Sequence, residues 1–85
     1  MHETGRIVIA SAGRDKDAYF VVTGESEGYV LLCDGKGRPF ERPKRKNPRH
    51  IKPTDDSLPM EGIKTNRALR RALANYASVC REAAN

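Results

Sequence analysis

The fold of this chain is decided by one stretch, Gly5-Arg6-Ile7-Val8-Ile9-Ala10-Ser11-Ala12-Gly13-Arg14-Asp15-Lys16-Asp17-Ala18-Tyr19-Phe20-Val21-Val22. Within it, two runs of β-branched and aromatic residues, at 6–10 and 19–22, flank a polar loop. Such side chains suit the pleated, half-buried surface of a sheet, so both runs are predicted strands. Gly13 can take a positive φ without a Cβ penalty and therefore predicts the turn. Arg14 and Lys16 place two cations at the loop tip, where binding groups are common.

This stretch resembles the KOW motif, a short segment of alternating hydrophilic and hydrophobic residues around a central glycine that opens an SH3-like barrel. The matching residues are Gly5, Ile7, Val8, the run 11–16 and the run 19–22. Similar motifs occur in large-subunit ribosomal proteins, in transcription factors and in small stand-alone KOW proteins of Gram-positive bacteria. The last group, which is described as RNA-binding, is the most similar.

More of the chain looks like that group, namely residues 29–34, the basic run after Pro43 and the segment Thr65-Asn66…Leu69…Leu73. The chain departs from the family at Asp17, where glycine is usual, and at Pro48, where an apolar strand residue is usual. Aspartate tolerates the left-handed region better than most residues, so the turn at Asp17 is still expected.

The resemblance implies a mainly β protein, with a small SH3-like (KOW) antiparallel barrel over residues 1–53. A linker is expected over residues 54–64 and one C-terminal α-helix over residues 65–85. The resemblance also implies binding to structured RNA, with ribosomal RNA as the target and the ribosome or translation as the setting. A ribosomal protein is a further expected partner.

Turn signals place the remaining strands. Residues 24–28 carry glycine at both ends and are predicted as a hairpin loop, and residues 29–33 are a predicted strand that is apolar on both faces. Asp34 and Gly35 favour a type I′ turn, because Asp-Gly supplies its positive φ values. A short edge strand is then expected at residues 40–42.

All five prolines lie between residues 39 and 59, a density that disfavours helix. The segment is therefore predicted to be short strands and extended chain. Residues 49–51 are the candidate for a fifth strand, and Pro48 leaves its formation open.

One long helix is predicted over residues 66–83, with Thr65 or Asn66 as its N-cap. Its apolar residues recur at helical spacing on one side, at Leu69, Leu73, Tyr76, Cys80 and Ala83. The stripe is narrow and alanine-rich, so we expect it to dock on the barrel. Self-association or binding to a partner is the alternative.

Positive charge is concentrated in one window. The chain carries a net charge of +5, and residues 36–52 alone carry +7, which leaves −2 for the rest. Such local basicity is typical of a protein that binds a polyanion, although a solubilising surface loop has the same composition. The candidate RNA-binding residues are Arg14, Lys16, Lys44, Arg45, Lys46, Arg49, His50 and Lys52.

Within this window Lys44 and Lys46 are expected on one face of an extended segment and Arg45 on the other, all three exposed. Gly13, Asp34 and Gly35 are assigned as structural turn residues. Tyr29 is the candidate for stacking on a base, whereas Phe20 and Phe40 are expected in the core.

The sequence favours no catalytic, metal or cofactor chemistry. The two histidines, His2 and His50, have no second histidine or cysteine at ligand spacing, and no phosphate loop is present. Cys33 and Cys80 are expected to be buried thiols, with a single disulfide as the alternative. No apolar run approaches the roughly 18 residues of a membrane span and no signal peptide is evident, so a cytoplasmic, monomeric, non-enzymatic protein is expected. A module that binds a protein through the barrel or the helix remains the second reading.

Overall fold

The computed structural model describes residues 3–83, the last three of them as helix backbone only. It contains β1 (Arg6–Ala10), β2 (Tyr19–Ser26), β3 (Tyr29–Cys33), β4 (Lys44–Lys46), β5 (Ile51–Ser57) and α1 (Asn66–Ala83). Short 3-10 turns lie at Pro48–His50 and Met60–Gly62. His2, Ala84 and the side chain of Ala83 lie outside the described residues.

The strands form one antiparallel sheet in the order β4-β3-β2-β1-β5. The protein is therefore mainly β with a single C-terminal helix, as predicted, and this strand order is consistent with the expected SH3-like barrel. The helix spans the residues that its periodicity predicted. Thr65 is the N-cap, because its hydroxyl oxygen accepts a 3.1 Å hydrogen bond from the amide of Ala68.

Both faces of the sheet are covered, which explains why its strands are apolar on both sides. One face carries an inner cluster, made of Val8, Ala10, Phe20, Val22, Val30, Leu32 and Ile51. The other face carries a helix cluster, made of Ile7, Val21, Cys33, Leu69 and Leu73. Adjacent residues of β1 thus point into different clusters, as the alternation of a strand requires.

The helix docks on the sheet, so its apolar stripe is not a free binding surface. Leu69 is fully buried and Leu73 is 6% exposed. Tyr76 packs edge-on against Tyr19 with ring centroids 5.3 Å apart, and its hydroxyl donates a 2.7 Å hydrogen bond to Asp56 Oδ2. Burial, reinforced by that bond, raises the pKa of Tyr76, so the phenol stays protonated and keeps donating.

Two sequence predictions about turns are wrong. Residues 24–26 belong to β2, which carries a bulge between Val22 and Gly24, and the reversal needs only Glu27 and Gly28. Both of these residues have positive φ, 51° and 85°, as a type I′ hairpin requires. At the expected type I′ turn only Gly35 has positive φ, and the Asp34 carboxylate instead accepts hydrogen bonds from two later amides, those of Lys36 and Arg38.

The fourth strand is also displaced from its predicted place, since β4 is Lys44–Lys46 and residues 40–42 form a turn. Phe40 is not free to pair in the sheet. Its amide donates a 2.8 Å hydrogen bond to Asn66 Oδ1, and its ring packs against the helix cluster. As expected for core aromatics, Phe20 is buried, and Phe40 is partly buried.

The fifth strand forms, but two residues later than predicted and longer. Pro48–His50 is a 3-10 turn capped by Asn47. Proline lies at the start of this turn, where a backbone amide has no partner within the turn, so its missing amide costs no hydrogen bond. β5 starts at Ile51 and runs to Ser57, so it includes residues 54–57 of the segment that was expected to be linker. Pro53 is accommodated because β5 is an edge strand.

Candidate nucleic-acid interface

The loop that joins β1 to β2 is held by its own backbone. Gly13 has φ +87° and Asp17 has φ 71°, so the loop contains two residues in the left-handed region. The amide of Lys16 donates to the carbonyl of Gly13 at 3.2 Å, and the amide of Asp17 donates to that of Ala10 at 2.7 Å. Arg14 and Lys16 are therefore exposed on a loop with a defined shape.

Lys46 lies beneath this loop and is only 8% exposed. Its Nζ donates a 2.9 Å hydrogen bond to the carbonyl of Ala12 and lies 3.2 Å from where a Cβ would stand on Gly13. A buried ammonium is stable only with such partners. The expectation that Lys46 is exposed is thus wrong, because strand alternation turns it inward on the same side as Val30, its partner across β3.

Asp15 forms ion pairs that connect the same loop to two other segments of the chain. Its Oδ2 lies 3.2 Å from Lys44 Nζ and 3.4 Å from Arg38 Nη2. The hydrogen bond from Lys44 is the main cause that lowers the pKa of Asp15, with Arg38 adding to it. From the sequence, Asp15 was expected only to reduce the net charge of the loop. Its ion pairs with Arg38 and Lys44 join residues far apart in the chain, so no local sequence pattern predicts them.

Asp15→Asn is expected to destabilise the domain by up to about 1 kcal/mol at neutral pH, the range of partly exposed ion pairs. Because the folded-state pKa is lowered, the stabilisation is present above the ordinary value of 3.8 and is lost as pH falls through the folded value. Urea unfolding from neutral pH down to about 2 should show the two proteins converging in acid. Asp17→Asn is the matched control, and a constant difference at all pH values would contradict the role of Asp15.

The strand β4 presents its basic residues on two faces, as predicted. Lys44 and Lys46 face the Gly13 loop. Arg45 faces the other way, where its guanidinium lies 4.8 Å from the ring centroid of Tyr29 and 3.4 Å from Glu27. Tyr29 is 41% exposed, so its ring is accessible beside Arg45. The basic tract is therefore divided between the loop end of the sheet and the β2–β3 hairpin.

The 3-10 turn brings further cations to the loop end. The amide of Ser11 donates a 2.8 Å hydrogen bond to the carbonyl of His50, and Asn47 Oδ1 accepts from the amide of Arg49 at 3.0 Å. Arg49 and His50 are exposed, and Lys52, which pairs with Ile9 at the start of β5, is exposed as well.

We call this region the end surface, defined by Arg14, Lys16, Arg49, His50 and Lys52. It gathers five of the eight candidate residues. The other three are Lys44, which is ion-paired, Lys46, which is buried, and Arg45, which lies on the opposite face. What the end surface can do chemically is hold an anion by charge and hydrogen bonding.

Other chemistry finds no support among the described residues. Within residues 3–83, His, Cys, Asp and Glu side chains form no group of three that could hold a metal ion. Cys33 and Cys80 are free thiols, and burial raises the pKa of Cys33, which donates to the carbonyl of Pro39. Over the same residues no helix has the length and apolar character to cross a membrane.

Comparison with protein-family models and with curated proteins gave no match to this chain.

Proposed function

We propose that this protein is a KOW-type RNA-binding domain that holds structured RNA, with ribosomal RNA as the expected target, through the end surface. The observation that carries the proposal is a set of exposed cations fixed on hydrogen-bonded backbone at one end of the sheet. The KOW resemblance supplies the RNA and the ribosomal setting. Two free cysteines fit a reducing, cytoplasmic location.

The cations of the end surface differ from the ion-paired cations of the chain in having no acidic partner among the described side chains. Four described cations form ion pairs, namely Arg6, Arg38, Lys44 and Arg45. The four cations of the end surface, Arg14, Lys16, Arg49 and Lys52, form none with the described side chains of residues 3–80. Their charge is therefore available to phosphate, and each phosphate neutralised releases condensed counterions.

Rigidity of the supporting backbone adds to affinity. Lys46 and Asp15 fix the Gly13 loop from below and from the side, and Asn47 fixes the turn that carries Arg49. A surface that is ordered before binding loses less conformational entropy when RNA arrives. The function of Lys44 and Lys46 in this proposal is thus to hold the loop rather than to touch phosphate.

Two double variants with the same net charge test the proposal. Arg14→Gln with Arg49→Gln removes two cations from the end surface, whereas Arg6→Gln with Arg45→Gln removes two ion-paired arginines elsewhere. For an RNA stem–loop, the first should lose about a hundredfold or more in affinity, since two charged hydrogen bonds at about 1.5 kcal/mol or more each are removed. Its plot of log affinity against log salt should be shallower by about 1.4 to 1.8, at 0.7 to 0.9 per phosphate.

The control double should keep nearly the wild-type slope. Equal losses in both doubles would show that only overall charge matters and would overturn the assignment of the end surface. A salt-independent affinity of the wild type for RNA would overturn recognition through phosphate, and the absence of measurable RNA binding at low salt would overturn RNA binding itself and favour a protein partner.

A further inference from the structure

A second group of cations surrounds the start of α1. Gly35 approaches the helix so closely that an added Cβ would overlap the carbonyl oxygen of Asn66 and lie 2.9 Å from the amide nitrogen of Arg70. The Gly35 turn is thereby pressed against the first two turns of the helix. This places Lys36 beside a helix segment that is rich in arginine. We define the helix surface as Lys36, Arg67, Arg70 and Arg71, all of which are exposed.

The charges of the helix surface are uncompensated. No acidic residue lies in the first turn of α1, although that is where the helix dipole favours negative charge. Arg67 is three and four residues from Arg70 and Arg71, the spacings at which like charges repel. None of the four cations forms an ion pair with an acidic side chain in residues 3–80, the part of the chain whose side chains are described. The Glu41 carboxylate lies at the helix start, but it accepts a 2.9 Å hydrogen bond from the side-chain Nδ2 of Asn66 and pairs with none of these cations.

Arg38 connects this region to the end surface. Its amide donates a 2.8 Å hydrogen bond to Asp34 Oδ1 inside the Gly35 turn. Its guanidinium reaches Asp15 in the Gly13 loop at 3.4 Å. The Gly35 turn therefore contacts the helix directly and reaches the Gly13 loop through Arg38, so it connects the elements that carry the two cationic surfaces.

We propose that the helix surface is a second phosphate-binding region, and that one RNA crosses from the Gly13 loop over the Gly35 turn to the start of α1. The proposal rests on RNA binding by the end surface and extends its footprint to a different element. An RNA backbone there supplies counter-charge for the four exposed cations, in addition to the Glu41 carboxylate that contacts the helix start. The turn and the helix are separated by about 30 positions in the chain, so only the folded structure brings Lys36 close to the arginine-rich helix start.

The test is a third double variant, Arg67→Gln with Arg70→Gln, which has the same net charge as the other two doubles. Glutamine keeps the helix propensity nearly constant, and loss of positive charge at this end relieves the dipole conflict. The melting temperature should therefore stay equal or rise. Affinity for the RNA stem–loop should fall well below that of the Arg6/Arg45 control, with a salt slope shallower by about 1.4 to 1.8.

The RNA affinities of the two doubles, together with the number of RNAs bound per protein, distinguish the end-surface proposal from the helix-surface proposal. Loss of affinity in both the Arg14/Arg49 and the Arg67/Arg70 doubles, at one RNA per protein, supports the extended footprint. Loss in the Arg14/Arg49 double alone overturns the helix surface and leaves the end surface standing. Binding of two RNAs per protein would overturn the shared path, and wild-type binding by both doubles would overturn both proposals.

Discussion

Leu73→Asp is expected to unfold most of the protein at room temperature. Leu73 is 6% exposed and lies in the helix cluster with Ile7, Val21, Cys33 and Leu69. Removing a buried leucine side chain costs about 2–5 kcal/mol, and a carboxylate left without a partner adds to that. The total is comparable with the whole stability of a domain of this size, about 5 kcal/mol or somewhat more. Thermal or urea unfolding measures the effect.

Val79→Asp is the matched control on the same helix. Val79 is 62% exposed, so the same charge enters water and the melting temperature should change little. If Leu73→Asp melted like the wild type, the helix would not be docked, and its apolar stripe would be free for a partner.

Gly35→Ala is the second change with a large expected effect. Gly35 has φ +79°, and its missing Cβ leaves room for the backbone of α1 at Asn66 and Arg70. An alanine there loses about 1–2 kcal/mol of stability because its backbone must adopt the left-handed region. Its Cβ must also push the turn away from the helix. The hydrogen bond from the Phe40 amide to Asn66 should break with it, because that bond joins the same loop to the helix start.

Gly28→Ala is the control that measures the cost of the left-handed backbone without a steric clash against the helix. Gly28 has φ +85°, nearly the same conformation, but nothing lies within 4 Å of the Cβ it would gain. Its loss of stability should therefore be about 1–2 kcal/mol, and that of Gly35→Ala clearly greater. Equal losses at both positions, measured by urea unfolding, would contradict the close packing of turn against helix.

The parts of the fold that local pattern controls could be predicted. The helix from Asn66 to Ala83 follows from a repeat of apolar residues and a capping threonine, both of which act within a few positions. The strands β1 and β3 follow from short apolar runs bounded by turns. Asp17 takes the left-handed conformation that aspartate tolerates better than most residues.

The errors occurred where a distant contact outweighs local preference. Asp34-Gly35 has the composition of a tight hairpin, but the Asp34 side chain caps the turn and Gly35 packs on the helix. The fourth strand moved to Lys44–Lys46 because Phe40 is held by Asn66, 26 residues later. No local rule contains that information.

In the candidate site, too, some features follow from local sequence pattern and others depend on contacts between distant residues. The basic window was visible as composition, and strand alternation placed Arg45 opposite Lys44 and Lys46. That Lys46 is buried beneath Ala12 depends on a pairing between residues 34 positions apart. Likewise, only the folded chain brings the carbonyl of His50 to Ser11 and so joins the loop to the 3-10 turn.

The central claim is that the end surface is the RNA-binding face, and amide chemical-shift mapping tests it most directly. Isotope-labelled protein is titrated with an RNA stem–loop at low salt and the backbone amides are followed. We predict the largest shifts at residues 11–16 and 49–52, with the β2–β3 hairpin at residues 25–29 unaffected. Shifts confined to that hairpin and to Arg45, or no shifts under conditions where the RNA is in excess, would contradict the claim.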